Sequence, residues 1–232
     1  MAKTFTKIGK EITIAVKQGG PDVVGNSRLR ALMAEARSEN MPKDNVEKAI
    51  KRALEKNQGD FKEVVFEGYG PHGIAYLVET ATDNNTRTVA NVRSYFTKCG
   101  GSLGTSGSVS FMFDHKCVFR IKYQEGMDID ELQLALCECD DDPEVFIEEQ
   151  EDKDENITKN VVIYGAYESY GAIQKFIEDN GYELVSGGFE RIPNVELKDV
   201  TPEQRETLDK LTGLLEDDDD VTNVYSTLKP EE

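Results

Sequence analysis

Residues 100–110 read GGSLGTSGSVS, and the segments on either side decide which fold the chain adopts. A glycine-rich stretch that follows a strand and opens a helix is the phosphate loop of a nucleotide-binding α/β fold, because the helix N-terminus then faces the anion. Here the order is reversed. The preceding DNNTRTVANVRSYFTKCG places Val89, Val92 and Phe96 on one helical side and Arg87, Arg93 and Lys98 on polar positions. Asp83, Asn84 and Asn85 supply caps, and Gly100 stands where a left-handed glycine ends a helix. SVSFMF and KCVFRIKY, around Asp114-His115, read as strands. The G-K-[ST] ending is also missing. The stretch is therefore a loop with many backbone N–H groups and two hydroxyls, Thr105 and Ser106. It suits either a phosphate contact or a plain turn, and it does not hold a nucleotide.

Upstream, KEVVFEGYG and GIAYLVETAT read as two strands joined by the turn GPHG at 70–73. Residues 62–123 thus run strand, strand, helix, strand, strand. A ferredoxin-like βαββαβ unit starting at residue 73 lacks its last helix and strand, and TPEQRETLDKLTGLLEDDDD followed by VTNVYSTL can supply them. Thr201 caps that helix, Pro202 takes its first position, and Glu203 and Gln204 fall in its first turn. Between them, residues 126–194 give helix, strand, strand, helix, strand. They read as an insertion, and the acidic runs within and after it read as solvated loops. None has the D-x-[DN]-x-[DN]-G calcium pattern.

The N-terminal stretch is helical. Phe5, Ile8, Ile12, Ala15 and Val16 share one side of a first helix, with Lys3, Lys7, Lys10 and Lys17 opposite. SRLRALMAEARSEN follows, with Leu29, Leu32, Met33 and Ala36 inward and Arg28, Arg30 and Arg37 outward or flanking. MPKDNVEKAIKRALEKN makes a third, with Pro42 near its start and capping-box spacing between Asp44 and Glu47. Its buried stripe is Val46, Ala49, Ile50, Ala53 and Leu54, and Lys48, Lys51, Arg52 and Lys56 stay wet. The expected architecture is α+β: a basic three-helix domain at 1–58, a discontinuous ferredoxin-like domain at 59–125 with 195–232, and an acidic α+β domain at 126–194 inserted in it.

The net charge of −18 conceals an asymmetry. Residues 1–58 carry 12 Lys and Arg against 7 Asp and Glu, whereas residues 124–232 carry 8 against 32. Such a dipole points to polyanion binding at the basic end. No apolar run approaches the ~20 residues of a membrane span, and the first twenty residues lack a signal-peptide pattern. Four cysteines without a CxxC pair, and two histidines, give no zinc spacing and fit reduced thiols in a cytoplasmic protein. No cofactor or metal is expected, and no nucleophile–base pair argues for an enzyme.

Several segments together resemble the YebC/PmpR family, which includes the mitochondrial translational activator of cytochrome oxidase. They are FTKIGKEITIAVKQGG, NSRLRALMAEARSENMPKDNVEKAIKRA, FEGYGPHGIAYLVETATDNNTRTVANVRSYFTKCGGSLGTSGSVSFMF and VTPEQRETLDKLTGLLE, so the resemblance covers nearly the whole chain. It implies a helical domain followed by two α+β domains, and a DNA-binding transcriptional regulator or a factor acting on stalled ribosomes. Most members of the family carry a further basic segment, resembling H-S-K-W and then K-H-R-K, ahead of the FTK helix. Here Met1 stands four residues before Phe5, so the start is either shorter or has lost residues. The family commonly has His where Cys99 stands, so no proton-transfer role is carried to that position.

The expected activity is non-enzymatic nucleic-acid binding, to DNA or ribosomal RNA. The expected contacts are Lys7, Lys10, Arg28, Arg30, Lys43, Lys48, Lys51 and Arg52 at the helical end. Asn84, Arg87, Arg93, Lys98, Thr105 and Ser106 join them around the glycine loop. An alternative makes the acidic segment an adaptor for a basic protein partner such as a ribosomal protein.

Overall fold

The computed structural model describes residues 2–55, 60–151 and 157–231. Its elements run α1 (Ala2–Gly19), α2 (Ser27–Ser38), α3 (Lys43–Leu54), β1 (Lys62–Tyr69), β2 (Ala75–Thr82), α4 (Asn85–Lys98), β3 (Ser102–Leu103), β4 (Phe113–Lys122), α5 (Ile129–Leu136), β5 (Glu144–Glu151), β6 (Ile157–Ala166), α6 (Tyr170–Asp179), β7 (Leu184–Pro193), α7 (Pro202–Glu216) and β8 (Val221–Ser226). The fold is α+β, with a helical N-terminal part and two four-stranded sheets, ordered β3-β1-β2-β8 and β5-β6-β4-β7. Packing divides the chain into two compact units. One comprises Met1–Ile14, Arg52–Asp114 and Arg191–Glu232, the other Ala15–Lys51 and His115–Glu190.

In the first unit β2 is central. It pairs antiparallel with β1, placing Phe66 opposite Val78 and Glu67 opposite Leu77, and antiparallel with β8 on its other side. Side chains alternate across a strand, so Tyr76 and Val78 meet one layer and Ala75 and Leu77 another. The first layer is α4 and α7, through Val92, Phe96, Leu208, Leu211 and Leu215, all fully buried. Tyr76 and Phe96 meet edge to face at 5.9 Å. The second layer holds Val109 and Phe113, from the end of the glycine loop. Burial on both faces explains why GIAYLVETAT reads as a nearly unbroken apolar run. Gly68 is needed where β3 joins the sheet, since a Cβ there would lie 2.7 Å from the Ser102 carbonyl.

In the second unit β4, α5, β5, β6, α6 and β7 form a complete ferredoxin-like order. Phe119 and Ile121 of β4 and Val161 and Ile163 of β6 pack under Leu132, Leu136, Ile173 and Ile177. Ala31 of α2 joins this core. Buried Asn26 fixes the turn between α1 and α2. Its side chain accepts from Leu29 N, capping α2, and donates to the carbonyls of Ala15 and Gly20.

Three local readings differ. KCVFRIKY, expected beside the strands before it, pairs instead with β6 from Lys116 to Lys122, and β1 fills its place in the first sheet. A strand's partner is a long-range choice that its own residues do not encode. SVSFMF is not a strand: Ser110–Met112 is a 3₁₀ turn and β4 starts at Phe113. Asp44 is not a cap, because α3 begins at Lys43 and Asp44 lies in its first turn. The Thr201 cap is as expected, with Gln204 completing the reciprocal box, and Gly100 has the left-handed φ of 76°.

Candidate nucleic-acid interface

Lysines four and three residues apart lie along one side of a helix, and on α1 that side carries Lys3, Lys7 and Lys10. In the first unit this row meets the acidic turn that ends α7. Lys3 pairs with Asp217. Lys7 donates to the Glu216 carbonyl at 3.3 Å, and burial lowers its pKa. Lys10 is the most enclosed: its ammonium reaches Asp220 Oδ1 at 2.8 Å and the carbonyls of Asp219 and Ala81.

Asp220 is only 4% exposed. Its second oxygen takes Arg87 at 2.6 Å, the Thr88 hydroxyl at 2.9 Å and the Thr82 hydroxyl at 3.2 Å. Burial opposes its ionisation, but the hydrogen bonds from Lys10, Arg87 and Thr88 outweigh it and hold its pKa down at about 2. Arg87 also pairs with Asp83, and Asn84 caps α4 by accepting from Arg87 N. Asp218 accepts from Asn91 and from the Tyr95 hydroxyl. The EDDDD run is thus not simply a solvated loop, since two of its carboxylates are structural. Among the other acidic runs, buried Asp140 accepts from the backbone of Asp142 and Ala166. Residues 152–156 of QEDKDEN lie outside the described residues.

The glycine loop does cradle an anion, and the anion is its own. Glu67, 5% exposed on β1, accepts the N–H groups of Gly107, Val109 and Ser110, each at 2.8 Å. Burial raises its pKa, but the three backbone donors and the Ser110 hydroxyl lower it further, for a net fall. The amides at 109 and 110 are therefore taken from any ladder, which is why SVSFMF turns where it was expected to extend. Thr105 and Ser106 stay exposed at the tip. Among the other expected contacts on α4, Arg93 and Lys98 are exposed, with the Lys98 ammonium 5.8 Å from the Tyr95 ring. Arg52 is half-buried, its guanidinium 4.4 Å from the Phe61 ring. Lys56, expected to stay wet, lies outside the described residues.

In the second unit the expected cations divide. Arg30 is anchored by Glu178 at 2.8 Å and by the carbonyls of Val23 and Val24, and Arg28 reaches Gln18. Lys43, Lys48 and Lys51 of α3 are exposed, and they make no hydrogen bond or ion pair among the described residues. Glu67 and Asp220 were the residues sequence reasoning missed. The signal for Glu67 was a lone acid inside the apolar VVFEGY. Asp220, last of an acidic run, carried none. All four cysteines are free. Among the described residues no cluster of His, Cys, Asp and Glu could hold a metal, and no helix is long and apolar enough to cross a membrane.

A helical basic start joined to two four-stranded sheets, with the α3 lysines unpaired among the described residues, is the architecture of a multi-unit α+β protein. The profile of the TACO1/YebC protein N-terminal domain matches residues 1–56, and that of the TACO1/YebC second and third domain matches residues 61–228. The chain belongs to the TACO1/YebC family. It is 57% identical over its whole length to a protein of Parabacteroides distasonis named "Probable transcriptional regulatory protein", covering 91% of that protein. A Bacteroides thetaiotaomicron protein of the same name is 56% identical over the same spans. The crystal structure of a conserved hypothetical protein, Aq1575 from Aquifex aeolicus, superposes with a TM-score of 0.80 at 32% identity, covering 100% of this chain and 91% of that one.

Proposed function

We propose that the protein is a non-enzymatic regulator that binds the phosphate backbone of nucleic acid, with DNA as the expected target. The observation that carries this reading is the state of the α3 lysines. Most of the cations on α1, α2 and the start of α4 are bonded within the chain, yet Lys43, Lys48 and Lys51 are exposed and unpaired among the described residues. The names of the relatives, probable transcriptional regulatory proteins, support the regulatory part.

Replacing Lys43, Lys48 and Lys51 together with Glu should weaken binding. It should also lower the log–log salt slope by about 0.7 to 0.9 for each phosphate no longer neutralised. An unchanged slope on both duplex DNA and single-stranded RNA would remove α3 from the interface.

One feature favours a second reading, ribosomal RNA as target with a role in translation. Arginine reads guanine edges through two parallel hydrogen bonds, but of the expected arginines Arg28, Arg30 and Arg87 are bonded within the chain and Arg52 lies against an aromatic ring. That leaves Arg93 alone both exposed and without a side-chain bond among the described residues. The unpaired cations of α3 are lysines, which meet phosphate as point charges. Interactions of that kind suit a shaped polyanion better than a chosen base sequence. Crosslinking in cells followed by sequencing of both bound DNA and bound RNA separates the two.

A further inference from the structure

The α1 lysines form a basic row whose partners lie on the acidic turn at 216–220, within the first unit. The five acids of that turn do different work. Asp218 and Asp220 are tied into the fold through Asn91, Tyr95, Thr82, Thr88 and Arg87. Glu216 and Asp217 are exposed and face the lysine row. Asp217 holds Lys3, with the two side chains 74% and 54% exposed. The Glu216 carbonyl accepts from Lys7, and its carboxylate attracts that ammonium. A pair so exposed contributes little to stability, so the fold does not depend on it. Carboxylates set against a helical row of ammonium groups stand where phosphates of a nucleic acid would.

We propose that Glu216 and Asp217 are an intramolecular mask, an acidic stand-in for backbone phosphate that keeps Lys3 and Lys7 from nucleic acid until a polyanion displaces it. This rests on the nucleic-acid reading above. Lys10 is not part of the masked set, because it is locked to Asp220 and two carbonyls. The mask sets how many cations the protein commits to a given nucleic acid. In the first unit a weak encounter would leave the turn closed, and a close one would open it and add Lys3 and Lys7.

The test is a salt titration of binding to random-sequence duplex DNA. Glu216→Gln with Asp217→Asn should bind more tightly than the unaltered protein, with a log–log slope steeper by about 0.9 for the phosphate that Lys3 then meets, because the main-chain carbonyl that holds Lys7 is unchanged. Between about 50 and 200 mM salt the variant should therefore lose about threefold more affinity than the parent. Adding Lys3→Gln and Lys7→Gln should abolish both gains. Glu125→Gln with Asp179→Asn, which removes the same charge from exposed acids of the second unit, should leave the slope unchanged. An unchanged slope in the first variant, or a gain that persists without Lys3 and Lys7, or an equal gain in the charge control, overturns the mask. If the parent binds and responds to α3 reversal in any of those cases, the nucleic-acid reading survives. If no variant binds duplex DNA or single-stranded RNA, both fall.

Discussion

Two buried carboxylates in the first unit are satisfied by opposite means. Glu67 is held by backbone: three amides of one loop converge on it. Asp220 is held by side chains from α1, β2 and α4: an ammonium, a guanidinium and two hydroxyls. The first arrangement fixes the path of a loop and brings no cation with it. The second fixes how separate elements dock, and it uses up charges that a binding protein could have shown to solvent. Backbone donors come with every residue, so the Glu67 site needs only glycine at the right bends. Side-chain donors had to be drawn from the basic row itself.

The largest difference between the two is expected on removing Glu67. Glu67→Ala strands three amides without an acceptor, each costing about 1 to 3 kcal/mol if left buried, so denaturant unfolding should show a loss of about 4 kcal/mol. Hydrogen exchange at residues 107–110 should lose protection. A loss below about 1 kcal/mol would mean that water replaces the carboxylate at little cost. Asp220→Ala should cost about 3 kcal/mol by leaving Lys10 enclosed without its counter-charge. Here Lys10→Met in the same chain should restore part of the loss, a rescue with no counterpart at Glu67.

Acid should sharpen the same contrast. The Asp220 pKa is depressed from the ordinary aspartate range to about 2. Its contribution is therefore complete above about pH 4 and disappears as pH falls towards about 2. Asp220→Asn should flatten the stability profile across that window, and an unchanged profile would show that the ion pairs contribute little. Gly107→Ala should cost about 1 kcal/mol or more, because Gly107 sits at a φ of 86°. Neither the parent nor this variant should release heat with ATP or GTP in calorimetry, because the loop amides already have their anion.

The helices and most strands were legible because each carries its own period. The α7 start was plain in Thr201, Pro202 and Gln204, and the end of α4 in Gly100. Whether a glycine loop folds around a neighbour's carboxylate was not legible, because Glu67 lies 40 residues from Gly107 and the two share no local pattern. The basic face of α1 was readable as a row, but its neutralisation was not. Lys3 and Asp217 are 214 residues apart, so the pairing exists only once β2 has recruited β8. For the same reason the acidic run at 216–220 looked like a solvated tail. The unpaired lysines of α3 were visible in sequence, and what distinguishes them from their neighbours was not.

The pairing of β2 with β8 also orders the birth of the molecule. The second unit has all its parts once the chain has passed Glu190, whereas β2, finished by Thr82, waits for a partner that begins at Val221. Nearly 140 residues are synthesised in between. At roughly 5 to 20 residues per second the central strand of the first sheet has an open edge for many seconds. Open edges invite pairing with other chains. The central strand of the first sheet is thus among the last to gain its second neighbour, and a chain interrupted before α7 leaves a strand buried on both faces without its cover.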